Sequence, residues 1–376
     1  MKSDTPGRNF SQVLISGIVV TGLQAAFYLI FASLLDPELY GNMSYLIAIA
    51  GTASIISRFG LPHTVTVFQS KQNQNTSNQI NVLAVITTSV AAIILLFVNP
   101  YVSLLTFAIS FFVMNQHNLL GLKNYKSYLR MGVLKSILII TLPILFYFLL
   151  DLPGILLGMA IGNLICSYNF LKSLSLKINS FYEIKSHIKV IIHNFGIDSS
   201  TGLTRVLDKL IIVPLFGFTY TGIYQFNLQI LFVLMVLPTA LHSFLLTEES
   251  SGRKHSKIIL IILLASTLLT IVSIIIAPYF VSEFFPKYSE GMFVLQIMIL
   301  SLIPISVSSI YQAKLQAKES TRVGLSSVAR IGSLLALVVI FGNWYGIVGL
   351  SLAVFISSIF ETIILIVLYK NQKDKF

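Results

Sequence analysis

The sequence predicts an all-α membrane protein that crosses the bilayer many times. Of its 376 residues, 55% are hydrophobic and only 10% are charged, whereas soluble domains carry about 25% charged residues. Apolar runs of about 20 residues, each long enough to cross a hydrocarbon core of about 30 Å, recur along the whole chain. The second half of the chain also repeats features of the first. These observations predict twelve transmembrane helices in two bundles of six.

The boundaries of the predicted spans follow the apolar runs. Turn residues divide two of these runs, with Asn-Pro at 99–100 and Asp-Leu-Pro at 151–153. The predicted spans are 11–34, 42–66, 80–98, 101–121, 131–150, 152–171, 190–216, 222–246, 257–278, 291–313, 323–342 and 347–369. Because the number of spans is even, we expect both termini on the same side of the membrane.

The positions of lysine and arginine predict which side that is. These residues accumulate in the cytoplasmic loops of inserted helical proteins. One set of loops contains nearly all of them, whereas the opposite set contains Lys287 alone. Both termini are therefore predicted to be cytoplasmic, in a multi-pass protein of the plasma or inner membrane. The asymmetry accounts for most of the net charge of +11, which for this reason does not indicate a nucleic-acid partner.

Short matching sequences recur in the same order in the two halves of the chain. Thr-Gly-Leu occurs at 21–23 and again at 201–203, and Leu-Tyr-Gly at 39–41 resembles Tyr-Thr-Gly at 220–222. We infer a duplication of six helices with a pseudo-twofold axis along the membrane normal, since an even number of helices preserves the orientation of each half. The predicted domains are an N-terminal lobe at 1–174, a cytoplasmic linker at 175–189 and a C-terminal lobe at 190–376.

The predicted linker has two interpretations. Its apolar residues Ile178, Phe181 and Ile184 follow helical spacing in an otherwise polar segment. This pattern is typical of a helix that lies on the cytoplasmic surface of the membrane. A tilted extension of the seventh span fits the same pattern.

The chain contains no motif that indicates catalysis or metal binding. Cys166 is the only cysteine, which excludes intramolecular disulfides and cysteine-based metal sites. We find no Walker-type loop, no clustered metal ligands and no nucleophile motif. The outer loops are too short to present a set of catalytic side chains. We therefore expect a protein that is not an enzyme, with no catalytic residues and no resident metal.

The seventh predicted span, 190–216, is unusually rich in polar residues. Five of them step by four, three, four and three positions, a spacing that places them on one face of a helix. A charge at the bilayer centre costs roughly 2.5 to 3.5 kcal/mol on insertion scales, so such residues normally face partners or a watery cavity. The five residues are Asn194, Asp198, Thr201, Arg205 and Asp208, and Thr204 and Lys209 lie beside them.

The first span carries a matching stripe that is polar but uncharged. It is formed by Thr21, Gln24 and Tyr28. Because the first and seventh spans open the two halves of the repeat, we predict that both stripes line one central cavity. Only the second lobe contributes charges, so an anionic cargo is expected to lie against that lobe.

Two arginines in the predicted spans have alternative roles. Arg205 lies about halfway along its span and is predicted either to bind an anion through its planar guanidinium or to pair with Asp208 on the same helix. Arg58 stands next to the helix-breaking residues Gly60 and Pro62. It either extends to the cytoplasmic surface or lines the cavity.

Carboxylates within the spans are candidates for ion coupling. Glu361 in the twelfth span either pairs with a basic residue across the bundle, stays protonated or titrates during transport. Together with Asp198 and Asp208, it is a candidate for coupling transport to H⁺ or Na⁺; no other cofactor is expected. Arg330 and Lys135 lie nearer to cytoplasmic ends and are predicted to extend to the surface.

Several longer segments carry a family resemblance. The first half contains Leu-Leu-Asp-Pro-Glu-Leu-Tyr-Gly at 34–41 and Arg-Phe-Gly-Leu at 58–61. The second half contains Leu-Asp-Lys-Leu-Ile-Ile at 207–212, Thr-Gly-Ile-Tyr at 221–224, Leu-Pro-Thr-Ala-Leu at 237–241 and Tyr-Gly-Ile-Val-Gly-Leu at 345–350. These segments resemble the polysaccharide-biosynthesis flippases of the multidrug/oligosaccharidyl-lipid/polysaccharide exporter superfamily. The resemblance covers nearly the whole chain.

The resemblance implies a mechanism as well as a fold. Two six-helix bundles would enclose a V-shaped cavity that opens alternately to the two sides of the membrane. The cargo would be an oligosaccharide on a polyprenyl (pyro)phosphate carrier, taken from the cytoplasmic to the outer leaflet. Similar flippases bind the carrier phosphates with basic residues, which map onto Arg205, Lys209 and Arg58. Membrane lipids and the glycan polymerase or glycosyltransferases of the same pathway would be its partners.

Two other functions remain open from the sequence. A cation-coupled multidrug or metabolite exporter has the same fold, and its cationic cargoes favour a net acidic cavity. A membrane-embedded glycan-processing enzyme is the other alternative, which the short outer loops disfavour.

Overall fold

The computed structural model describes residues 6–174, 182–203, 206–250, 256–317 and 323–373. In these ranges the chain forms fifteen α-helices and a short 3₁₀ helix at Pro286–Gly291. The helices are α1 (Pro6–Leu34), α2 (Pro37–Arg58), α3 (Leu61–Ser70), α4 (Gln74–Leu96), α5 (Pro100–Gly121), α6 (Tyr125–Cys166), α7 (Tyr168–Ser173), α8 (Tyr182–Ser186), α9 (Ile188–Gly202), α10 (Leu207–Leu234), α11 (Val236–Ser250), α12 (Ser256–Phe284), α13 (Met292–Leu300), α14 (Leu302–Ala317) and α15 (Val323–Lys373). The prediction of an all-α fold is confirmed for the described residues.

Asparagine side chains start three consecutive helices. The Asn73 side chain accepts a hydrogen bond from the Thr76 amide before α4, and Asn99 accepts two from the first turn of α5. Asn124 accepts one hydrogen bond from the first turn of α6. Each asparagine satisfies backbone donors that have no partner within the helix. The predicted turn at 99–100 is thereby confirmed.

Three long helices contain a residue with non-helical backbone angles. They are Asp151 (φ 52°) in α6, Gly217 (φ 83°) in α10 and Gly346 (φ 56°) in α15. These positions separate the predicted spans 131–150 and 152–171, 190–216 and 222–246, and 323–342 and 347–369. The turn predicted at 151–153 is therefore confirmed.

Two predicted spans are each divided between two helices. Gly60 and Pro62 were named from the sequence as helix-breaking residues, but no break was predicted in the second of these spans. The span 42–66 ends its first helix at Arg58 and resumes at Leu61, because Phe59 and Gly60 adopt positive φ values of 42° and 72°. Pro62, which has no amide hydrogen, fits the first turn of the second helix. The predicted continuous span 190–216 is also wrong, since α9 ends at Gly202 and α10 begins at Leu207.

Several helices have the length and composition of membrane spans. Within the described residues, six helices are long and apolar enough to cross a bilayer. Two of them, Tyr125–Cys166 with 42 residues and Val323–Asn371 with 49, are twice as long as one crossing requires. Each contains one of the backbone breaks described above, at Asp151 or Gly346. The chain is therefore a multi-pass membrane protein.

The chain divides into two compact units. Unit 1 contains Met1–Phe27 and Leu46–Val206, and unit 2 contains Tyr28–Tyr45 and Leu207–Phe376. The core of unit 1 includes Leu61, Val65, Ile80, Phe111, Met114 and Phe170. The core of unit 2 includes Ile212, Tyr224, Leu231, Met298, Val338 and Leu350. The predicted lobes at 1–174 and 190–376 and the linker at 175–189 stay predictions, and of the linker the structure describes 182–189.

Two glycines in unit 2 form a reciprocal helix contact. A Cβ atom at Gly41 on α2 would overlap the carbonyl oxygen of Phe218 on α10, and one at Gly222 would overlap that of Pro37. Gly41 follows Pro37 by the same interval as Gly222 follows Phe218, and these segments match in the internal repeat. A contact in which each partner makes the same approach is typical of twofold symmetry. Glycine is required at both positions because the two backbones nearly touch.

We expect Gly222→Ala to destabilise the protein, whereas Gly332→Ala will not. The methyl group at 222 meets backbone atoms that cannot rotate away, and overpacking of this kind costs about 1 to 3 kcal/mol or more. Gly332 is an exposed glycine of α15 where a Cβ meets no atom within 4 Å. Thermal unfolding in detergent measures both variants. Equal melting temperatures for them would contradict the close contact at Gly222.

Candidate functional site

The structure distributes the polar stripe of the predicted seventh span over two helices. Asn194, Asp198 and Thr201 belong to α9 in unit 1, and Asp208 and Lys209 lie in the first turn of α10 in unit 2. Thr204 and Arg205 lie outside the described residues, as does the side chain of Thr201. The stripe is therefore divided between two helices, and the prediction that its five residues share one face stays a prediction.

Helix α9 ends at residues that have a low propensity to form helix. The last helical residues are Thr201 and Gly202, two poor helix formers. The Leu203 amide closes the final turn on the Ser199 carbonyl, and the Val206 amide then bonds to the Leu203 carbonyl with the tighter spacing of a turn. Interrupted helices at membrane depth typically occur where backbone lines a cavity or a binding site.

In unit 2 the carboxylate of Asp208 has both of its oxygens occupied. The Lys209 ammonium lies 2.9 Å from Asp208 Oδ1, and the Tyr224 hydroxyl donates a hydrogen bond of 2.9 Å to Oδ2. All three side chains are buried, with Asp208 only 2% exposed. Tyr28, which the sequence places in the cavity lining, interacts electrostatically with Asp208. The acidic group also lies at the amino end of α10, where the helix dipole favours negative charge.

A second ion pair lies in the same unit. Arg330 Nη1 donates to Glu361 Oε2 at 2.9 Å, although both residues lie on the long helix α15, on either side of its break at Gly346. Of the three alternatives for Glu361, pairing across helical segments is the one observed. The prediction that Arg330 extends to the surface is wrong, because its guanidinium turns to this buried carboxylate.

In unit 1, α9 packs closely against the turn between α2 and α3. Gly60 has no side chain there, and a Cβ would overlap backbone atoms of α9 at Phe195 and Ile191. The rings of Phe59 and Phe195 stack with their centroids 4.4 Å apart. The Asn194 side-chain amide also donates a buried hydrogen bond of 2.9 Å to Thr64 Oγ1.

Charged groups surround the same contact. His63 Nε2 lies 3.0 Å from Asp198 Oδ1, with the His63 side chain 40% exposed and that of Asp198 17%. Arg58 is buried at the end of α2, interacts electrostatically with Asp198, and donates from Nε to the Ser54 carbonyl at 2.9 Å. Within the described part of the chain, neither Nη atom of Arg58 has a hydrogen-bond partner.

A second histidine completes this cluster. The His117 ring on α5 meets the His63 ring edge to face, with centroids 4.8 Å apart. Its Nδ1 lies 3.0 Å from Thr66 Oγ1 on α3. We call Arg58, His63, His117 and Asp198 the histidine cluster.

The sequence analysis missed both histidines, although a signal was present. His63 and His117 both fall inside predicted spans, at 42–66 and 101–121. An ionisable residue within a span is a candidate functional residue by default.

The remaining predicted lining residues lie on α1. Thr21 and Gln24 are exposed in unit 1, and Tyr28 is half-buried in unit 2. Among the described residues, no group of three histidine, cysteine or acidic side chains has the geometry to hold a metal ion. The predicted roles of all these site residues stay predictions.

The fold is shared with solved structures of lipid and drug exporters. The lipid II flippase MurJ in its inward closed conformation matches with a TM-score of 0.78 and 15% identity, over 95% of this chain and 87% of that chain. An inward-facing multidrug resistance MATE family transporter of the MOP superfamily matches with a TM-score of 0.73 and 12% identity, over 97% of this chain and 98% of that one. The chain therefore shares the fold of this flippase and this transporter.

Sequence comparison adds a match to a protein family. Residues 7–192 match the model of a family described as polysaccharide biosynthesis protein. The family resemblance predicted from the sequence is thereby confirmed. An uncharacterized membrane protein of Methanocaldococcus jannaschii is 25% identical over 394 aligned positions, which cover 92% of this chain and 94% of that protein.

We expect Arg330→Met to destabilise the protein more than the double variant Arg330→Met/Glu361→Gln. The single change leaves the Glu361 carboxylate buried without its cation, and breaking a buried pair costs about 3 kcal/mol. The double change also removes the negative charge of Glu361, so no buried charge is left without its partner. Thermal unfolding in detergent provides the comparison, with the exposed Lys370→Met on the same helix as control. A double variant less stable than Arg330→Met would contradict the pairing.

Proposed function

We propose that this chain is a flippase for oligosaccharide linked to a polyprenyl (pyro)phosphate carrier. It would carry this lipid from the cytoplasmic to the outer leaflet by alternating access, for the assembly of surface polysaccharide or another glycan. The match of residues 7–192 to the polysaccharide biosynthesis family carries the proposal. The fold supports it, since a lipid II flippase and a multidrug transporter both match over nearly the whole chain.

The proposed architecture has twelve transmembrane helices in two bundles of six, with both termini in the cytoplasm of a plasma or inner membrane. Two observations support this count. The helices of 42 and 49 residues each contain a break that divides them into two spans. The reciprocal contact of Gly41 and Gly222 pairs equivalent segments of the two halves, as a pseudo-twofold axis requires.

Arg58 is the residue of the described chain best suited to bind the carrier phosphate. Lys209 and Arg330 already pair with Asp208 and Glu361 at 2.9 Å. The Nη atoms of Arg58 have no hydrogen-bond partner among the described residues, so they retain donors for a phosphate oxygen. Arg205 stays a sequence-based candidate for the same role, since it lies outside those residues.

The proposed mechanism requires binding and conformational change but no covalent step. The cargo would be held by its phosphate and sugar, while its apolar chain remains in the bilayer. The chain is thus proposed not to be an enzyme, and its partners to include membrane lipids and the polymerase or glycosyltransferases of the same pathway. A break such as Phe59–Gly60 provides a position where helices can bend.

A cation-coupled exporter of drugs or metabolites is the second candidate, because the multidrug transporter matches the fold with a TM-score of 0.73. The charges do not favour it. Arg58, Lys209 and Arg330 balance Asp198, Asp208 and Glu361 among the described residues, so the clusters contain no excess of negative charge to attract a cationic cargo.

We expect Arg58→Gln to slow lipid-linked oligosaccharide translocation at least tenfold. Loss of a hydrogen bond to a charged group costs about 1.5 to 3 kcal/mol, which corresponds to roughly a tenfold to hundredfold loss. The assay uses proteoliposomes that contain polyprenyl-pyrophosphate oligosaccharide with a fluorophore on the sugar. A membrane-impermeant quencher then reports the fraction of labelled sugar on the outside over time.

Two controls define the outcome of this assay. Lys135→Gln removes another cation of unit 1, one that lies over the Phe112 ring at 5.2 Å, and should flip the lipid at the normal rate. Wild-type vesicles that flip no faster than protein-free vesicles would contradict the flippase. Faster efflux of a cationic dye from the same vesicles would then favour the exporter.

A further inference from the structure

Asp198 is the acidic centre of the histidine cluster and has two different cationic neighbours within that cluster. Arg58 carries a permanent charge and interacts with Asp198 electrostatically. His63 contacts Asp198 Oδ1 through Nε2 at 3.0 Å and is charged only when its imidazole is protonated. The net charge of Arg58, His63 and Asp198 together is therefore zero when His63 is neutral and +1 when His63 is protonated.

The contact of His63 with Asp198 extends the attachment of α9 to the α2–α3 turn. Asp198 lies four residues after Asn194 on α9, which is one helical turn. Asn194 bonds to Thr64, and Asp198 bonds to the preceding residue, His63. The tight approach at Gly60 lies beside these two contacts. Strengthening the His63 contact therefore fastens this end of α9.

We propose that His63 and Asp198 form a binding site for one proton and that the bound proton fastens α9 to the turn between α2 and α3. A proton on His63 turns the contact into an ion pair, in which Nε2 donates to a full negative charge. Neutral imidazole offers at most an uncharged donor at that nitrogen. The His63 side chain is 40% exposed, so protein atoms do not enclose its ring.

The neighbours of His63 limit the site to a single proton. The His117 ring is 4.8 Å away, so two protonated rings would repel each other, and its Nδ1 is already engaged by Thr66. Arg58 adds a further positive charge. Of the other helices packed against α3, α4 has no ionisable residue in its sequence, and α5 has only Tyr101 besides His117, in its first turn and more than four helical turns from His117.

The remaining ionisable groups of α9 have other positions. Lys189 and His193 are exposed to the surroundings of the helix. His187, which precedes α9, packs its ring against Phe68 at 4.6 Å. His193 therefore offers a matched control, a histidine on the same helix without a carboxylate partner among the described residues.

Proton binding also changes the charge beside Arg58. While His63 is neutral, the negative charge of Asp198 offsets the positive charge of Arg58. Once His63 is protonated, it shares the negative charge of Asp198, so the charge of Arg58 is offset less completely. Phosphate at Arg58 and the proton at His63 should then favour each other's binding, because linkage is reciprocal. This consequence rests on the proposed function; the proton site itself does not.

Hydrogen–deuterium exchange of the full chain in lipid nanodiscs tests the site. Imidazoles change charge between about pH 5 and 8, so exchange is measured at pH 5.5 and 8.0 and corrected for the intrinsic pH dependence. Backbone opening over residues 191–203 should be at least threefold less frequent at pH 5.5. His63→Gln and Asp198→Asn should abolish this difference, and His193→Gln should retain it.

A permanent cation provides the second variant. His63→Lys should keep α9 protected at both pH values if charge at this position fastens the helix. A wild-type chain without a pH difference, or a His63→Gln variant that retains it, would overturn the proton site. Retention of the difference in a chain that flips no lipid contradicts the proposed function alone, whereas normal flipping with pH-independent exchange contradicts the proton site alone.

Discussion

Charge in the membrane interior requires a partner of opposite charge, and this constraint organises the polar part of the molecule. Asp198, Asp208 and Glu361 each have a basic atom within 3.0 Å. An unpaired carboxylate at such depth would cost several kcal/mol, more than most single contacts contribute. The pair of Asp198 and His63 thereby holds α9 against α3. The contacts of Asp208 with Tyr224 and of Glu361 with Arg330 join the parts of α10 and α15 on either side of their breaks. The buried charges thus contribute to specifying how the helices pack, as well as to any binding of cargo.

Backbone geometry makes these pairings accessible. Positive φ values at Phe59 and Gly60 end α2 and let α9 approach the backbone directly. The Asp198 carboxylate then reaches His63 at the start of α3. The non-helical residue Gly346 similarly turns α15 back, so that Arg330 and Glu361 of one helix meet. Interruptions that weaken a helix locally are therefore the positions that bring distant ionisable residues together.

Features that depend on local composition were predicted well from the sequence, whereas features that depend on contacts with distant residues were predicted poorly. Apolar runs and Asn or Pro turn residues located the breaks at 99–100 and 151–153, because these depend on local chemistry. The prediction of a continuous span 190–216 was wrong, since the apolar stretches on either side of residues 203–206 were joined into one helix and hydropathy does not report that α9 and α10 belong to different units. The partner of Glu361 lies 31 positions away. Helical spacing alone cannot find such a pair.

The two units differ in how completely their charges are satisfied. In unit 2, Asp208 uses one carboxylate oxygen for Lys209 and the other for Tyr224, and Arg330 is engaged by Glu361. These contacts leave little capacity to exchange partners during a transport cycle. In unit 1, the Nη atoms of Arg58 have no hydrogen-bond partner among the described residues, and Asp198 contacts the imidazole of His63. A site that must bind and release its ligands needs groups that change partner or charge at low cost, and unit 1 supplies them. The proposed phosphate contact is therefore assigned to the unit of Arg58, although the charges of the second lobe are more conspicuous in the sequence.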